Sequence, residues 1–571
     1  MYVTGQAVAS GDGGQGKTVL AQAYAHQYAS DYPGGRFVVS CESIPLLTRL
    51  AALLPPSEQT KGQTDEQRAA LVRGWLTRNE RSLLILDNVT DDSQWCQPEF
   101  RALLPGKPCH VIVTTRAERL SGIDAVPVAR LTEEEAFDLL DKFRPTAKDP
   151  SHRAAIRTIL VEIESLAATV AAVGAVMQLD EYDDWEAYAT HLSTATVDGL
   201  PDHTEAVRRE TGYTGKTAVV LDDLRKRLPP AELRALDYAA LLPADGIVPL
   251  WLETLLNTDA DAARSASRLD LGQKPSGKPR SAADVLNHLR KLDLLRPSAG
   301  SDVLLSLHRL HRRRASELLA AQPPQRNALL DAITELAEAR GIASYNAVLQ
   351  PALRTELAPL AALVFTLVEA QRPDAAASLA NWVQQPLSEL ARYAEAKAVL
   401  THVLNNDDSS EQATAHNNLA LILHDLGDLA AARIHMERAI AIGEKHFDPD
   451  HPTLATRYSN LATILQAVGD LPAARTHMER AIAIEQKHFD PGHPTLATSY
   501  NNIAWIDADA GEFDRALEWE TRALSIVRKH FNESHPSVQA ISRTHAVFAR
   551  LASLPPAEAR ALFAKMTGNA G

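Results

Sequence analysis

The residues with the clearest chemical potential stand near the start of the chain. Gly11-Asp12-Gly13-Gly14-Gln15-Gly16-Lys17-Thr18 fits the spacing G-x-x-x-x-G-K-[ST], between an apolar run, Gln6–Ser10, and a helical stretch reaching Tyr28. Glycines at these positions let backbone N–H groups curl around a phosphate. Lys17 brings a compact positive charge to the outer phosphates, and Thr18 offers a hydroxyl to Mg2+. Asp87 closes the apolar run Leu83–Leu86, where a carboxylate at the C-terminal edge of a buried strand reaches the Mg2+ shell. The next residue is Asn88, not an acid, so the carboxylate that would activate water is missing at that point. Lys17 and Asp87 are therefore expected to support slow hydrolysis. Arg116 ends the run His110–Arg116, where a guanidinium reaches a γ-phosphate. Gly215-Lys216-Thr217 repeats the last three letters of the loop, but Glu210 stands where the first glycine belongs and no strand precedes it. That stretch reads as a loop or a helix start. No Asn-Lys-x-Asp for guanine, no Leu-Ser-Gly-Gly-Gln signature and no Ser/His/Asp or metal-ligand cluster emerges.

These residues need elements to hold them. Gln6–Ser10, Arg36–Glu42, Ser82–Val89, His110–Arg116 and Asp124–Arg130 read as strands, and their near-continuous apolar runs indicate burial on both faces. Helices between them imply a parallel sheet with right-handed crossovers. Thr132 followed by Glu135 is a capping box that opens the next helix. From Ser151 to Arg314 helical periodicity dominates, interrupted by a Gly/Pro-rich insert, Leu271–Ser281. The helix at Ser281–Leu295, a turn at Pro297–Gly300 and the strand-like Asp302–Leu310 follow the pattern of a winged helix. His308 in that stretch reads, on its own, as a satisfied core residue. Arg309 and Arg312–Arg314 read as a solvated helix face or a nucleic-acid patch.

The C-terminal part repeats itself. His451-Pro452, His493-Pro494 and His535-Pro536 recur every 42 residues, as do Asn418, Asn460 and Asn502, and Gly427, Gly469 and Gly511. Each unit reads as helix, Gly-Asp or Gly-Glu turn, helix, then a loop of the type HFDPDHP. Two amphipathic helices cannot bury their apolar faces alone, so neighbouring units must stack into a solenoid. Leu379–Leu404 reads as a divergent earlier helix pair, and a capping helix is expected after about Val547. Tyr458, Asn460, Tyr500 and Asn502 fall on the helices expected to line a concave, partner-binding surface. Asn side chains that tie helices together are the alternative there.

The whole chain fits this organisation. Its 571 residues suggest three or four domains at about 150 residues each. With 45% hydrophobic and 23% charged residues it is globular, and its 5% aromatics suit a helix-rich protein. Lys plus Arg is 58 and Asp plus Glu is 72, a net charge of −14, which argues against a nucleic-acid-binding surface over the whole protein. Cys41, Cys96 and Cys109 form neither a disulfide framework nor a zinc pattern. No signal peptide and no apolar stretch of about 18 residues is present, so a cytoplasmic protein without a membrane span is expected.

GDGGQGKT, LLILDNV and VIVTTR, followed by helices, a winged-helix pattern and LHR, resemble the NB-ARC branch of the STAND signalling NTPases. The C-terminal units resemble tetratricopeptide repeats of the kinesin light chain type. The resemblance implies a multidomain α/β plus all-α protein. A P-loop NTPase domain would span residues 1–150, a helical subdomain 151–212 and a winged helix 213–320. An α-solenoid would follow over 321–571, with its 42-residue repeats clearest at 411–545. It implies nucleotide binding by Gly11–Thr18, Asp87 as the Mg2+-side acid, Arg116 as a sensor arginine and His308 as the histidine that meets the β-phosphate of ADP. ATP or ADP with Mg2+ would be the cofactors. Three departures stand out: Ser165-Leu166-Ala167-Ala168 replaces Gly-Leu-Pro-Leu, Arg309 replaces the aspartate after the histidine, and only ten residues precede Gly11. The last leaves no room for the segment that packs on adenine or for an effector domain, so the expectations are a lost effector, a reading frame that is a fragment, or an effector that is a separate protein. The expected function is an ADP/ATP switch that senses a protein or peptide through the repeats and then oligomerises or signals, with antiphage defence as one setting. The alternatives are a repeat scaffold with a vestigial nucleotide site and a winged-helix transcription regulator.

Overall fold

The computed structural model describes residues 6–10, 15–41, 46–51, 53, 65–78, 80–89, 92–115, 117, 120–123, 125–179, 184–195, 215–244, 246–259, 280–298, 301–344, 346, 350–390, 392–404 and 408–567. These fall into two compact units, one ending at Ala398 and the other beginning at Val399.

The first unit opens with a five-stranded parallel sheet made of β1 (Gln6–Ser10), β2 (Arg36–Ser40), β3 (Leu83–Val89), β4 (His110–Thr115) and β5 (Ala125–Pro127), in the order β2-β3-β4-β1-β5. The apolar runs are buried on both faces. Along β3, Leu84 and Leu86 join Trp95, Val111 and Val113 with Val72 and Leu76 of α2 (Asp65–Arg78), while Leu83 and Ile85 join Ala21, Tyr24 and Ala25 of α1 (Lys17–Gln27). Alternate side chains thus feed two separate cores, which is why no polar alternation shows in the sequence.

Helices α3 (Glu133–Phe143), α4 (Arg153–Glu162), α5 (Ala167–Gln178) and α6 (Trp185–Thr194) follow. Thr132 and Glu135 form the expected capping box on α3. Gly215 opens α7 (Gly215–Arg227), and Lys216 donates to the carbonyls of Leu192, Ser193 (3.0 Å) and Ala195 (3.2 Å) at the end of α6. The second Gly-Lys-Thr therefore serves helix ends.

Next come α8 (Pro230–Leu241), α9 (Pro249–Thr258), α10 (Ala282–Lys291), the antiparallel hairpin β6 (Leu295–Ser298) and β7 (Ser301–Leu307), and α11 (Arg309–Ala320). Residues 271–279 of the insert and 299–300 of the turn lie outside the described residues. The arginine run on α11 is engaged within the chain. Arg312 donates to the carbonyls of Ala240 (2.8 Å), Leu242 and Pro243 (3.3 Å) at the end of α8. Arg314 grips Asp222 with two bonds of 2.7 and 2.6 Å, and Arg313 meets Glu317 at 3.0 Å. Helix ends leave carbonyls without partners, and a guanidinium fork is suited to collecting them.

The unit continues through α12 (Pro323–Ser344), α13 (Leu357–Glu369) and α14 (Pro373–Glu389), and α15 (Tyr393–Val403) leads into the second unit. There α16 (Ser410–Asp425), α17 (Leu429–His446), α18 (Pro452–Val468), α19 (Leu471–His488), α20 (Pro494–Asp509), α21 (Phe513–His530), α22 (Pro536–Ala552) and α23 (Pro556–Thr567) form successive antiparallel pairs. Val547 lies inside α22, and the terminal helix begins only at Pro556, after the break at Ser553–Pro555.

Each recurrent letter of the repeat has a local task. Gly427, Gly469 and Gly511 take left-handed φ values of 82°, 91° and 80° between paired helices. The Nδ1 atoms of His451, His493 and His535 accept from the N–H groups of Thr453, Thr495 and Ser537 at 3.2, 3.3 and 3.2 Å, capping α18, α20 and α22. Their rings stack on Phe447, Phe489 and Phe531, with centroids 4.3, 4.4 and 4.1 Å apart. We expect His493→Ala to lose both cap and stack and to cost about 1–2 kcal/mol in a denaturation series, with His493→Asp recovering the cap share.

Candidate functional site

The sheet order places β4 between β1, which feeds the glycine-rich loop, and β3, which carries Asp87. Of that loop, Gln15–Thr18 are described, and Gly11, Asp12, Gly13 and Gly14 lie outside the described residues. Gly16 has φ 89°, a left-handed conformation, and a Cβ there would meet nothing within 4 Å. The loop's last glycine is thus bent as only glycine bends easily, beside open space, at the N-terminal end of α1. Lys17 is buried to 8% exposure in the first turn of α1.

Thr18 Oγ1 donates to Asp87 Oδ1 at 2.7 Å, and Thr114 Oγ1 donates to the same oxygen at 2.6 Å. Thr114 Oγ1 in turn accepts from the Asn88 N–H at 2.8 Å. The register explains this convergence. Leu86 pairs with Val113 and Val89 with Thr115, so Asp87 and Asn88 together oppose Thr114 alone. This is a bulge in a parallel pair, and Asn88 absorbs the extra residue at φ 64°, a conformation Asn tolerates better than most residues. A threonine hydroxyl and a carboxylate are the hard oxygen donors that Mg2+ takes, so the residues present fit the ion. Sequence reasoning missed Thr114. Its signal lay in the doubled threonine of HVIVTTR beside an Asp-Asn pair, but the register is needed to read it.

Arg116 lies outside the described residues. Near the start of the loop, the Val128 N–H bonds Ser10 O at 2.8 Å, and the Leu131 N–H bonds Ser165 O at 3.2 Å. Glu164 and Ser165, at φ 57° and 50°, make a left-handed turn into α5 at the point where the departure from Gly-Leu-Pro-Leu occurs.

His308 is the N-cap of α11, where its Nδ1 accepts from the Leu310 N–H at 3.3 Å. Burial, with His311, Arg296 and Arg309 nearby, holds its imidazole well below the ordinary value, so the ring is neutral. A neutral ring whose Nδ1 accepts carries its proton on Nε2. Among the described residues no hydrogen bond joins His308 to Gln15–Thr18.

In the solenoid, Tyr458 is buried, bonds Glu444 and stacks on His477 at 5.9 Å. Tyr500 is buried, accepts from Gln486 at 3.0 Å and stacks on Trp519 at 5.4 Å. The Asn460 amide donates to Asn417 of the preceding pair at 3.0 Å, and Asn502 is half-buried at the equivalent position.

No helix among the described residues is long and apolar enough to cross a membrane. Comparison with known proteins gives two family matches: the NB-ARC domain over residues 6–149, and the tetratricopeptide repeat over 411–487 and 453–529. The regulatory protein AfsR of Streptomyces griseus is 28% identical over 357 residues, covering 58% of this chain and 32% of its own length. The chain thus spans about a third of the length of that curated relative. Among solved structures, a STAND protein with a tetratricopeptide repeat sensor from Pyrococcus horikoshii aligns at 14% identity over 99% of this chain and 86% of its own, with a TM-score of 0.36. Kinesin-light-chain-type repeats from Podosopora anserina align at 22% identity over 34% of this chain and 97% of their own, with a TM-score of 0.29. The chain therefore carries an NB-ARC domain over residues 6–149 and tetratricopeptide repeats over residues 411–529.

Proposed function

We propose that this chain is a nucleotide-dependent signalling switch, in which an adenine nucleotide held by the NB-ARC domain governs a response to a protein or peptide bound by the repeats. The observation that carries this reading is the bridge Thr18–Asp87–Thr114, an intact Mg2+-side arrangement on a loop of the right spacing. Lys17 and the loop's N–H groups bind the phosphates. Thr18 and Asp87 are the residues that would hold Mg2+, which when bound draws negative charge from the outer phosphates. Thr114 fixes the carboxylate's orientation, and Arg116 reads the terminal phosphate. His308, neutral with its proton on Nε2, has a donor to offer a phosphate oxygen, so one diphosphate would be shared by His308 and Lys17 and would clamp the resting state.

Ligand binding by the repeats, with Asn460 and Asn502 the accessible candidates of the four named residues, shifts the population toward an open form. Exchange of ADP for ATP then stabilises a form that oligomerises or engages a separate effector. The name of the curated relative, a regulatory protein, agrees with a signalling role, and antiphage defence is one setting for it. The transcription-regulator alternative loses its main support, because Arg312, Arg313 and Arg314 are engaged inside the unit.

Mass spectrometry of nucleotide retained through purification tests the reading directly. We expect ADP or ATP in the wild type and at least tenfold weaker binding in Lys17→Ala. An empty wild-type protein whose assembly is indifferent to Lys17→Ala would overturn it and leave a repeat scaffold. Thr114→Val separates positioning from folding. It strips one bond from Asp87 and the acceptor from the Asn88 N–H, costing about 1–3 kcal/mol of stability. Nucleotide affinity should fall several-fold in Mg2+ and stay nearly unchanged in EDTA. Equal loss in both conditions would make Thr114 a purely structural residue.

A further inference from the structure

The 42-residue spacing puts Met436, Met478 and Glu520 at one position of three successive repeats. The two methionines are buried without cost. Glu520 is buried as completely, at 0% exposure, and neither of its carboxylate oxygens has a hydrogen-bond partner. A charged carboxylate in a slot shaped for methionine is among the most expensive groups to enclose, and a protonated one is far cheaper.

The neighbours offer no compensation. Helix α21 packs against α20 and α22, and Phe513 meets Phe563 of α23. The titratable and charged side chains that are not exposed on these elements are Tyr500 and Asp507 on α20, Arg515 on α21 and His545 on α22, while those of α23 are exposed. Tyr500 accepts from Gln486, Asp507 is held by Arg475 at 2.8 Å with Arg515 at 3.8 Å, and His545 meets Thr521 at 3.1 Å. None of them bonds Glu520.

We propose that the last part of the solenoid is a proton-sensitive module. With Glu520 protonated, α21 packs as α17 and α19 do, and with Glu520 ionised α21–α23 loosen while α16–α18 stay closed. A repeat array allows this, because each unit leans only on its neighbours and a terminal unit opens without unfolding the rest. Loosening uncovers the cluster of Phe513, Phe548 and Phe563 with the half-buried Trp505. Nothing in the first unit takes part, so the inference stands apart from the nucleotide reading.

The sign follows from burial. Burial pushes the Glu520 carboxyl from 4.5 up to about 7. A folded-state value raised above the unfolded one gives stability that is complete below the unfolded value and is lost as pH rises through the folded value. The loss therefore falls between about pH 4.5 and about pH 7, and the displacement from 4.5 to about 7 corresponds to at most roughly a 300-fold change in the closing equilibrium. Asp507, pushed up to about 6, adds a step of the same sign at lower pH.

Hydrogen exchange on the full chain, corrected for the intrinsic pH dependence of amide exchange, tests this between pH 5 and pH 7.5. Protection in residues 513–567 should fall more than tenfold, and that in residues 410–468, which stop short of the buried Glu485, should not. Glu520→Met, which restores the residue of the preceding repeats, and Glu520→Gln should each abolish the fall above pH 6.5. Wild-type protection in 513–567 that is indifferent to pH would overturn the proposal, as would a full fall retained in both variants. Should neither variant fold, the contrast between the two wild-type regions decides alone: present, it upholds the module, and absent, it refutes it.

Discussion

A single carboxylate oxygen joins three segments of the NB-ARC domain. Asp87 Oδ1 receives the hydroxyls of Thr18, from the helix after the glycine-rich loop, and Thr114, from the strand between loop and acid. Remove that convergence and the loop, the carboxylate of β3 and the strand β4 become three neighbours with no fixed geometry. Two charge-assisted bonds of 2.7 and 2.6 Å in a sheet buried on both faces are strong enough to fix it. The bulge adds a further bond to the convergence, since Asp87 and Asn88 together oppose Thr114 and its hydroxyl also takes the Asn88 N–H.

The repeats solve a different problem, that of holding identical units in line with little side-chain bulk. The loops at residues 447–451 and 489–493 are each pinned from both sides. His451, His493 and His535 cap the helix ahead, while His446, His488 and His530 reach back to the carbonyls of Asp408, Asp450 and Gly492. Where the units differ, the contact between successive pairs is rebuilt. Gly443 leaves the room that Arg457 fills, since a Cβ there would lie 2.2 Å from the guanidinium, whereas Glu485 and Ser499 stand at the same two positions one repeat later. Near-identity in sequence therefore coexists with locally distinct chemistry, and Glu520 is the extreme instance.

How much of this was legible in the sequence follows from what each feature depends on. The five strands were readable because burial on both faces leaves unbroken apolar runs, and the 42-residue period because repetition is visible without any physics. Thr114 was not, because its role arises from the pairing of β3 with β4, which no single strand encodes. The arginine run on α11 read as a surface face, yet Arg312 and Arg314 are drawn inward by the carbonyls of α8 and by Asp222. Tyr458 and Tyr500 fall on helices that the repeat pattern expects to line a partner-binding surface. A helix in a solenoid is covered on several sides, so helical periodicity does not separate groove from core, and their rings are buried.

Asn88 ties the two halves of the site's chemistry together. As an amide it cannot take the proton of an attacking water, which leaves Asp87 to hold charge without a neighbouring acid. As a residue tolerant of φ 64° it pays little for the bulge, and its N–H is taken up by the Thr114 hydroxyl that also orients Asp87. An aspartate at that position would place a second negative charge one residue from the first, next to a hydroxyl already committed as donor to Asp87. The same side chain thus favours a well-held carboxylate and, on the switch proposed above, would disfavour fast turnover, the combination needed for a state to outlast a single binding event.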